Sequence, residues 1–226
     1  MNETGEGFAQ NRARMKMQSA PPMLPQWLLE FMRPLVSRLC RALWGIEFIG
    51  TENIPEGGGV IIASNHQTYI DPFWLSIPIE RPLRYLAWSE AFGWPLVGPA
   101  MRLFGAWPLQ LERGDPKVIR RTLQWLSDGG AMVIFPEGAR GKPDGSMLKF
   151  KPGAVRMSLE AEVPILPVTI RGANRVWPSN RRLPRLGKVE ITFHPLYQVK
   201  CDGGEEPRNC ARRESDQLAE IIRSAL

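Results

Sequence analysis

Short apolar runs alternate with helical segments along this chain, and this alternation is the feature that most constrains its fold. Val60–Ser64, Ala131–Phe135 and Ile165–Ile170 are apolar throughout or nearly so, as strands buried on both faces are. Strands that alternate with helices predict an α/β fold, here a single domain with a largely parallel or mixed central sheet flanked by helices. Further strands are predicted at 46–49, 83–88, 107–111 and 189–193, and helices at 71–77, 92–104, 116–127, 153–160 and 210–225.

The segment before this alternation divides into two parts. Residues 1–22 are polar and lack the apolar stretch of a signal peptide, so they are predicted to be a disordered tail. Residues 23–45 contain an amphipathic helical pattern, Leu24–Trp44, with several arginines. These charges argue against a transmembrane span. The pattern fits a helix lying in the bilayer interface and, equally, one docked on the protein's own core. Residues 46–226 then form the remaining domain.

The charge of the chain limits the classes of partner that it is expected to bind. A net charge of +6 favours anionic partners. Six basic residues and no acidic one lie between Arg171 and Lys188, together with two prolines, which predicts an exposed loop that is either simply solvated or faces an anion. Since no nucleic-acid recognition motif accompanies the charge, nucleic acid is not expected as a partner.

The three cysteines, Cys40, Cys201 and Cys210, are widely spaced and form no CxxC pattern. This spacing predicts neither a disulfide framework nor a zinc site, and indicates a reducing compartment. The two histidines also lack a partner at metal-ligand spacing, so we expect no metal and no bound cofactor.

His66 and Asp71 lie five positions apart, directly after the Val60–Ser64 run. An imidazole can accept a proton near neutral pH, and a carboxylate can orient the ring and stabilise its charged form. The end of a strand would place both groups at the rim of a sheet, where α/β sites usually lie. A simpler interpretation is open: Asp71 precedes Pro72 and suits a helix cap, with His66 as an ordinary turn residue.

Three more segments carry chemically informative residues. One ends in Arg113, just after the predicted strand at 107–111. Another, Phe135–Arg140, places Glu137, Gly138 and Arg140 after a buried strand, although Glu137 and Arg140 alone would also suit a surface ion pair. The third, Val163–Val168, is a strand framed by prolines, which singly would suit a sheet edge.

In this order and at these separations, the motifs resemble those of the glycerolipid acyltransferases, specifically the 1-acyl-glycerol-3-phosphate (lysophosphatidate) acyltransferase family. His66 and Asp71 match that family's motif of histidine, four residues and aspartate. Arg113 matches the arginine that closes its second motif. Phe135–Arg140 and Val163–Val168 match the third and fourth. The resemblance covers roughly residues 46–199.

The resemblance implies an enzyme of phospholipid biosynthesis with an acyltransferase domain at 46–226. It would move a fatty acyl group from acyl-CoA or an acyl carrier protein to the sn-2 hydroxyl of a lysophosphatidate-like acceptor. His66 would be the general base and Asp71 its orienting partner. Arg113 and Arg140 would bind the acceptor phosphate, Glu137 would bind the glycerol hydroxyl or orient those arginines, and Gly138 would allow close backbone approach.

The chain departs from the family pattern at Ala139, where threonine is usual, and at Gly141, where serine is common. These departures bear on the acceptor more than on the reaction. Glycerol-3-phosphate or a lyso-aminolipid therefore stays open as the acceptor, and so does a non-catalytic membrane lipid-binding module. We expect the protein at the cytoplasmic face of a membrane, peripheral or monotopic, with the apolar stretch at 92–104 lining an acyl-chain groove.

Overall fold

Seven strands form one mixed sheet in the computed structural model, which describes residues 24–110, 115–178, 181 and 183–226. The predicted tail at 1–22 and Arg113 lie outside the described residues. The strands are β1 Glu47–Ile49, β2 Val60–Ser64, β3 Leu83–Trp88, β4 Ala106–Leu109, β5 Ala131–Ile134, β6 Ile165–Arg171 and β7 Glu190–Phe193. The helices are α1 Gln26–Trp44, α2 Asp71–Ser76, α3 Val97–Leu103, α4 Pro116–Ser127, α5 Gly153–Ala161, α6 Ala173–Val176 and α7 Pro207–Arg223.

The sheet order is β1-β7-β6-β2-β5-β3-β4. The five strands from β6 to β4 are parallel, whereas β7 pairs antiparallel with β6 and parallel with β1. The outer pair β1 and β7 therefore runs opposite to the other five strands. The predicted α/β fold with a mixed sheet is confirmed.

Helices cover both faces of the sheet and give it two apolar cores. On one face α1, α2 and α6 pack around Val60 and Ile62 of β2. On the other face α4, α5 and α7 pack around Ile61 and Ala63 of the same strand. Successive side chains of a strand point to opposite faces, so β2 buries every residue and positions its carboxyl end rigidly.

Helix α1 is amphipathic, with an inner face that packs on the protein's own core and an outer face that is exposed. On its inner face Cys40 is buried, and the ring of Trp44 meets Trp74 edge-on with ring centroids 5.3 Å apart. Its outer face carries an apolar stripe, repeating every fourth residue, that is 36 to 74% exposed. The stripe consists of Trp27, Phe31, Leu35, Leu39 and Leu43. Among the described residues, no helix is both long and apolar enough to cross a bilayer.

Two predicted elements differ from the structure. The helical stretch expected at 92–104 is a 3-10 turn, Ser89–Gly93, followed by α3, because Gly93 and Pro95 interrupt it and Leu96 adopts a φ of 66°. The prolines of Val163–Val168 do not mark a sheet edge. Pro167 faces Ala63 of β2 across the ladder, and its carbonyl accepts from the His194 N–H at 3.0 Å on the other side.

The expectation that the cysteines form no disulfide is wrong. Cys201 and Cys210 are joined, nine residues apart, and only Cys40 is free. The bond fastens the loop before α7 to the first turns of that helix. Spacing therefore gives no support for a reducing compartment.

Candidate active site

The carboxyl ends of β2, β5 and β6 meet at one edge of the sheet, and the site is built there. Ala63 of β2 faces Ile134 of β5 in parallel register. His66 follows two residues after β2 ends, and Glu137 follows three residues after β5 ends. Parallel pairing therefore brings these residues together, although 71 positions separate them in the chain.

His66 and Asp71 form a hydrogen-bonded pair. The His66 Nδ1 atom lies 2.9 Å from Asp71 Oδ2. Because an ionised carboxylate only accepts hydrogen bonds, this contact places the imidazole proton on Nδ1 and leaves Nε2 with its lone pair. The Asp71 side chain is fully buried, whereas that of His66 is 18% exposed. The pair thus consists of a buried carboxylate and a partly exposed imidazole.

Asp71 does not cap α2, contrary to the simpler interpretation of its sequence. It is the first helical residue, preceded by Ile70 at the cap position, which makes no side-chain capping bond. Its carboxylate instead accepts from groups that precede it. Oδ2 accepts the Gln67 N–H at 2.6 Å and the Thr68 N–H at 2.8 Å, and Oδ1 accepts the Thr68 hydroxyl at 2.5 Å. Asp71 therefore closes the turn that carries His66.

The backbone of His66 is held on both sides by the Phe135–Gly141 turn. Its N–H donates to Glu137 Oε1 at 2.8 Å, and its carbonyl accepts from the Gly141 N–H at 2.6 Å. The imidazole stacks on the Phe135 ring with centroids 4.1 Å apart and an interplanar angle of 22°. The ring consequently has a fixed position and orientation before any substrate arrives.

Glu137 is a buried residue whose two oxygens are both used by the protein itself. Oε1 accepts from His66, and Oε2 accepts the Leu148 N–H at 2.6 Å. Burial raises the pKa of Glu137 above its ordinary value, and these two backbone hydrogen bonds oppose that rise. Its carboxylate joins the His66 turn to the loop at 148, and it makes no ion pair with Arg140 among the described side chains.

Gly138 leaves space for the side chain of Lys151. Its φ is 69°, and a Cβ added there would lie 2.8 Å from Lys151 Nζ. The missing side chain therefore lets the Lys151 ammonium lie against the turn. The Gly138 N–H already donates to the Phe135 carbonyl at 3.0 Å, so in this conformation it is not available as an oxyanion donor.

Arg140 lies over an exposed aromatic ring beside the histidine turn. Its guanidinium carbon is 3.8 Å from the Tyr69 ring centroid, and its Nη2 donates to the Tyr69 hydroxyl at 2.9 Å. Tyr69 in turn meets Trp177 edge-on at 6.1 Å. Arg140 thus joins the site at its solvent-facing side. The position of Arg113 lies outside the described residues, so the structure does not relate it to the other arginine.

The side chains of Asn65 and Gln67 hold the His66 turn in place through hydrogen bonds. Neither side chain was assigned a role from the sequence alone. The Asn65 amide pairs with both backbone groups of Ile170 in β6, at 2.9 and 2.7 Å. Gln67 donates to the Gly145 carbonyl at 3.1 Å and accepts from the Asn174 N–H at 3.0 Å. Their amides flank His66 in the sequence, and that flanking was the available signal.

One group of potential metal ligands occurs among the described residues, and it lies away from the histidine turn. Cys201, Glu205 and Cys210 have ligand atoms within 4.8 Å of one another. Two of these ligands are sulfurs joined to each other in the disulfide. A thiolate is required for metal binding, so this group does not fit a metal in its present form.

Comparisons with known proteins show the family of this chain and its fold. The sequence profile of the family described as Acyltransferase matches residues 45–171, which include the entire His66 turn and Phe135–Arg140. A 1-acyl-sn-glycerol-3-phosphate acyltransferase of Pseudomonas aeruginosa is 34% identical over 202 residues, covering 83% of this chain and 74% of that protein. A chloroplastic 1-acyl-sn-glycerol-3-phosphate acyltransferase of Brassica napus is 30% identical over 68% of this chain.

The chain spans about half the length of the chloroplast relatives, 45% in the case of Brassica napus. The crystal structure of the 1-acyl-sn-glycerophosphate (LPA) acyltransferase PlsC from Thermotoga maritima superposes with a TM-score of 0.71, covering 97% of this chain and 87% of that one at 24% identity. That likeness shows a shared fold. Since the family profile covers more than half of the chain and the Pseudomonas relative is matched over most of its length, the chain belongs to the acyltransferase family.

Proposed function

We propose that this chain transfers a fatty acyl group from an acyl thioester to the sn-2 hydroxyl of a lysophosphatidate-like acceptor, with His66 as the general base. The observation that carries the proposal is the 2.9 Å contact between His66 Nδ1 and a fully buried Asp71 in a chain of the acyltransferase family. The choice of lysophosphatidate as the acceptor is based on the names of the relatives. Acyl-CoA and acyl carrier protein are the proposed donors.

The chemistry follows from the free nitrogen of His66. As the acceptor hydroxyl oxygen attacks the thioester carbonyl carbon, its proton passes to Nε2, and the buried Asp71 carboxylate stabilises the imidazolium that forms. The tetrahedral intermediate then expels the thiolate, which takes that proton back from Nε2. The products are an ester and a free thiol, and no acyl-enzyme is required.

His66 is tested by replacing each of the two histidines in turn. His66→Ala should lower turnover of an acyl thioester with lysophosphatidate by roughly 10²- to 10⁴-fold, the usual share of a general base. His194→Gln is the matched control, because that ring contacts Thr169 Oγ1 at 2.8 Å, in the sheet. Near-normal turnover in His66→Ala would exclude it as the base. Running both donors against lysophosphatidate, glycerol-3-phosphate and a lyso-aminolipid identifies the substrates.

Arg140 is proposed to bind the acceptor phosphate, together with Arg113. A guanidinium donates two parallel hydrogen bonds to phosphate, and the Arg140 side chain lies at the exposed side of the site. Arg140→Ala should raise KM for lysophosphatidate by about tenfold or more, the value of a charge-assisted hydrogen bond, and leave KM for monoacylglycerol unchanged. Tyr69→Phe separates this role from packing, since it removes only the hydroxyl that Arg140 contacts. An equal effect on both acceptors would refute phosphate binding.

Glu137 and Gly138 fit supporting roles better than direct substrate contact. Both Glu137 oxygens are engaged by backbone N–H groups, one of them that of His66. We therefore propose that Glu137 positions the base, and that Gly138 makes room for the Lys151 ammonium rather than for a substrate.

The exposed stripe of α1 supports membrane attachment without a span, peripheral or monotopic, and we propose the cytoplasmic face, where both donors occur. Its aromatic and aliphatic residues lie on one side of the helix, as in helices buried in a bilayer interface. Phe31→Ser with Leu35→Ser should release the protein from lipid vesicles. Because both side chains are exposed, the fold should survive, and an unchanged melting temperature is the control. Full retention on vesicles would contradict attachment through this stripe.

A further inference from the structure

The proposed reaction does not use residues 177–188, here named the arginine–leucine loop, of which residues 181 and 183–188 are exposed. Leu183 and Leu186 are 76% and 73% exposed, although they are large apolar side chains. Arg181, Arg182, Arg185 and Lys188 are interspersed with them, and the segment contains no acidic residue. Leucines alternate here with basic residues over a short stretch of surface.

The described part of this loop is held by hydrogen bonds. The Arg185 N–H donates to the Val176 carbonyl at 2.9 Å. The Trp177 indole donates to the Arg181 carbonyl at 3.0 Å, and the Arg181 N–H donates to the Pro178 carbonyl at 3.0 Å. The loop is therefore folded against α6 and still presents its leucines to solvent.

Several cations of this surface form no ion pair with a carboxylate of the described residues. Arg171 pairs with Glu190 at 2.7 Å, and Lys188 pairs with Glu47 at 3.0 Å. In the part of the chain that the structure describes, no carboxylate forms an ion pair with Arg175, Arg181 or Arg185. Their charge is available to an anionic partner.

The loop lies between the end of α1 and the active-site turn. On one side the Val189 N–H donates to the carbonyl of Trp44, the last residue of α1, at 3.0 Å. On the other side Trp177 meets the ring of Tyr69, on which Arg140 lies. The arginine–leucine loop thus adjoins the end of α1 on one side and the aromatic pair beside the active-site turn on the other.

We propose that the arginine–leucine loop is a second membrane contact that recognises anionic lipid. Leu183 and Leu186 enter the boundary between headgroups and acyl chains. Arg181 and Arg185 of the loop bind lipid phosphates together with Arg175 of the adjacent α6. We favour a bilayer over an acidic protein, because the loop presents large apolar side chains beside its cations and adjoins the end of α1, the helix that carries the apolar stripe. Lipid binding by the loop does not depend on the proposed function. Only its purpose does: the contact would hold the site against the membrane that contains the lysophosphatidate acceptor.

The test measures vesicle binding of the full chain. One set of vesicles is phosphatidylcholine, and the other contains an added fraction of phosphatidylglycerol. Arg175→Ala with Arg181→Ala should weaken binding to the anionic vesicles by about 25-fold, roughly fivefold for each charge near such a surface, with a much smaller change on phosphatidylcholine. These two side chains donate no hydrogen bond in the described structure, so the loop should keep its fold.

Leu183→Ser with Leu186→Ser should weaken binding to the anionic vesicles by about tenfold through lost apolar contact. The matched control is Arg208→Ala with Arg212→Ala, which removes the same charge from α7 on the opposite face of the sheet. This control should bind both vesicles within about twofold of the unchanged protein, because the charges lie away from the proposed contact.

Three outcomes would overturn the proposal. Loop variants that bind anionic vesicles as tightly as the unchanged protein would refute a lipid contact. Equal losses in the α7 control would reduce the effect to net charge. If vesicle binding is unchanged while turnover falls with an acyl carrier protein donor and not with acyl-CoA, the loop docks an acidic protein. A chain that shows the lipid selectivity but no acyl transfer would refute the proposed function and leave this inference standing.

Discussion

Replacing Asp71 by asparagine separates the charge of the carboxylate from its shape. Three of the four hydrogen bonds that Asp71 accepts can survive in Asp71→Asn, and the fourth can reverse its direction. The amide oxygen takes the place of Oδ2 and accepts from His66, Gln67 and Thr68. The amide NH₂ takes the place of Oδ1 and donates to the Thr68 hydroxyl oxygen, which can accept. The fold and the His66 orientation should therefore persist, and only the negative charge is lost.

The lost charge sets the size of the effect. With Nδ1 and Oδ2 2.9 Å apart, the centres of the two charges are about 4 Å apart. At an effective dielectric constant of about 20, such a pair interacts by about 4 kcal/mol. That attraction exists only after His66 has taken the proton, so its loss raises the barrier by the same amount. At about 1.4 kcal/mol per factor of ten, kcat should fall roughly 10³-fold.

The assay is initial-rate turnover of an acyl thioester with saturating lysophosphatidate, followed by released thiol. Thermal unfolding by circular dichroism checks the fold, and Asp71→Ala is the comparison, because it strips four donors of their acceptor and should unfold at a lower temperature. If Asp71→Asn melts like the unchanged protein and keeps kcat within about tenfold, the carboxylate does not stabilise an imidazolium, and the reasoning fails.

Three further variants test the framework around the site. Glu137→Gln should lower the free energy of unfolding by about 2 kcal/mol, because its NH₂ must face the N–H of either His66 or Leu148; unchanged urea unfolding would contradict this. Burial lowers the pKa of His194, so the unfolded chain takes up that proton first and stability should fall as pH drops below about 6.5. His194→Gln should lose this part of the pH dependence, and an identical profile would argue against it. Cys201→Ser with Cys210→Ser should cost about 2.5 kcal/mol through the entropy of the opened loop, and a reductant should have the same effect on the unchanged protein but none on the variant.

The alternation of strands and helices could be predicted because burial on both faces leaves a direct mark in the sequence. The core strands β2, β5 and β6 are apolar at nearly every position, and each lies within a residue of its predicted bounds. The stretch at 92–104 was harder. Its composition is equally apolar, but its local backbone is set by Gly93, Pro95 and the positive φ of Leu96, which periodicity does not register.

The sequence predicted which residues form the site, but it predicted fewer of the hydrogen bonds that join them. The spacing of His66 and Asp71 indicated a pair, and the structure forms it. That Asp71 binds the amides before it, rather than those of the helix after it, depends on how the chain turns at Gln67 and Thr68. The second hydrogen bond that Glu137 accepts comes from the Leu148 N–H, eleven residues later in the chain, which the 141–147 loop brings back to the site. Such contacts arise from tertiary folding and leave no local pattern.

The pairing of β1 with β7 has a consequence for how the chain is made. Glu47 of β1 pairs with Glu190 of β7, so the first strand cannot join the sheet until the last strand has been synthesised. At a synthesis rate of about 5 to 20 residues per second, this delay is roughly 7 to 30 s. During that interval α1 can pack on α2 but lacks the β1–β7 pair at its end, and its outer stripe is exposed. A nascent chain in this condition would aggregate or reach a membrane first, so lipid present during translation should raise the yield of folded protein.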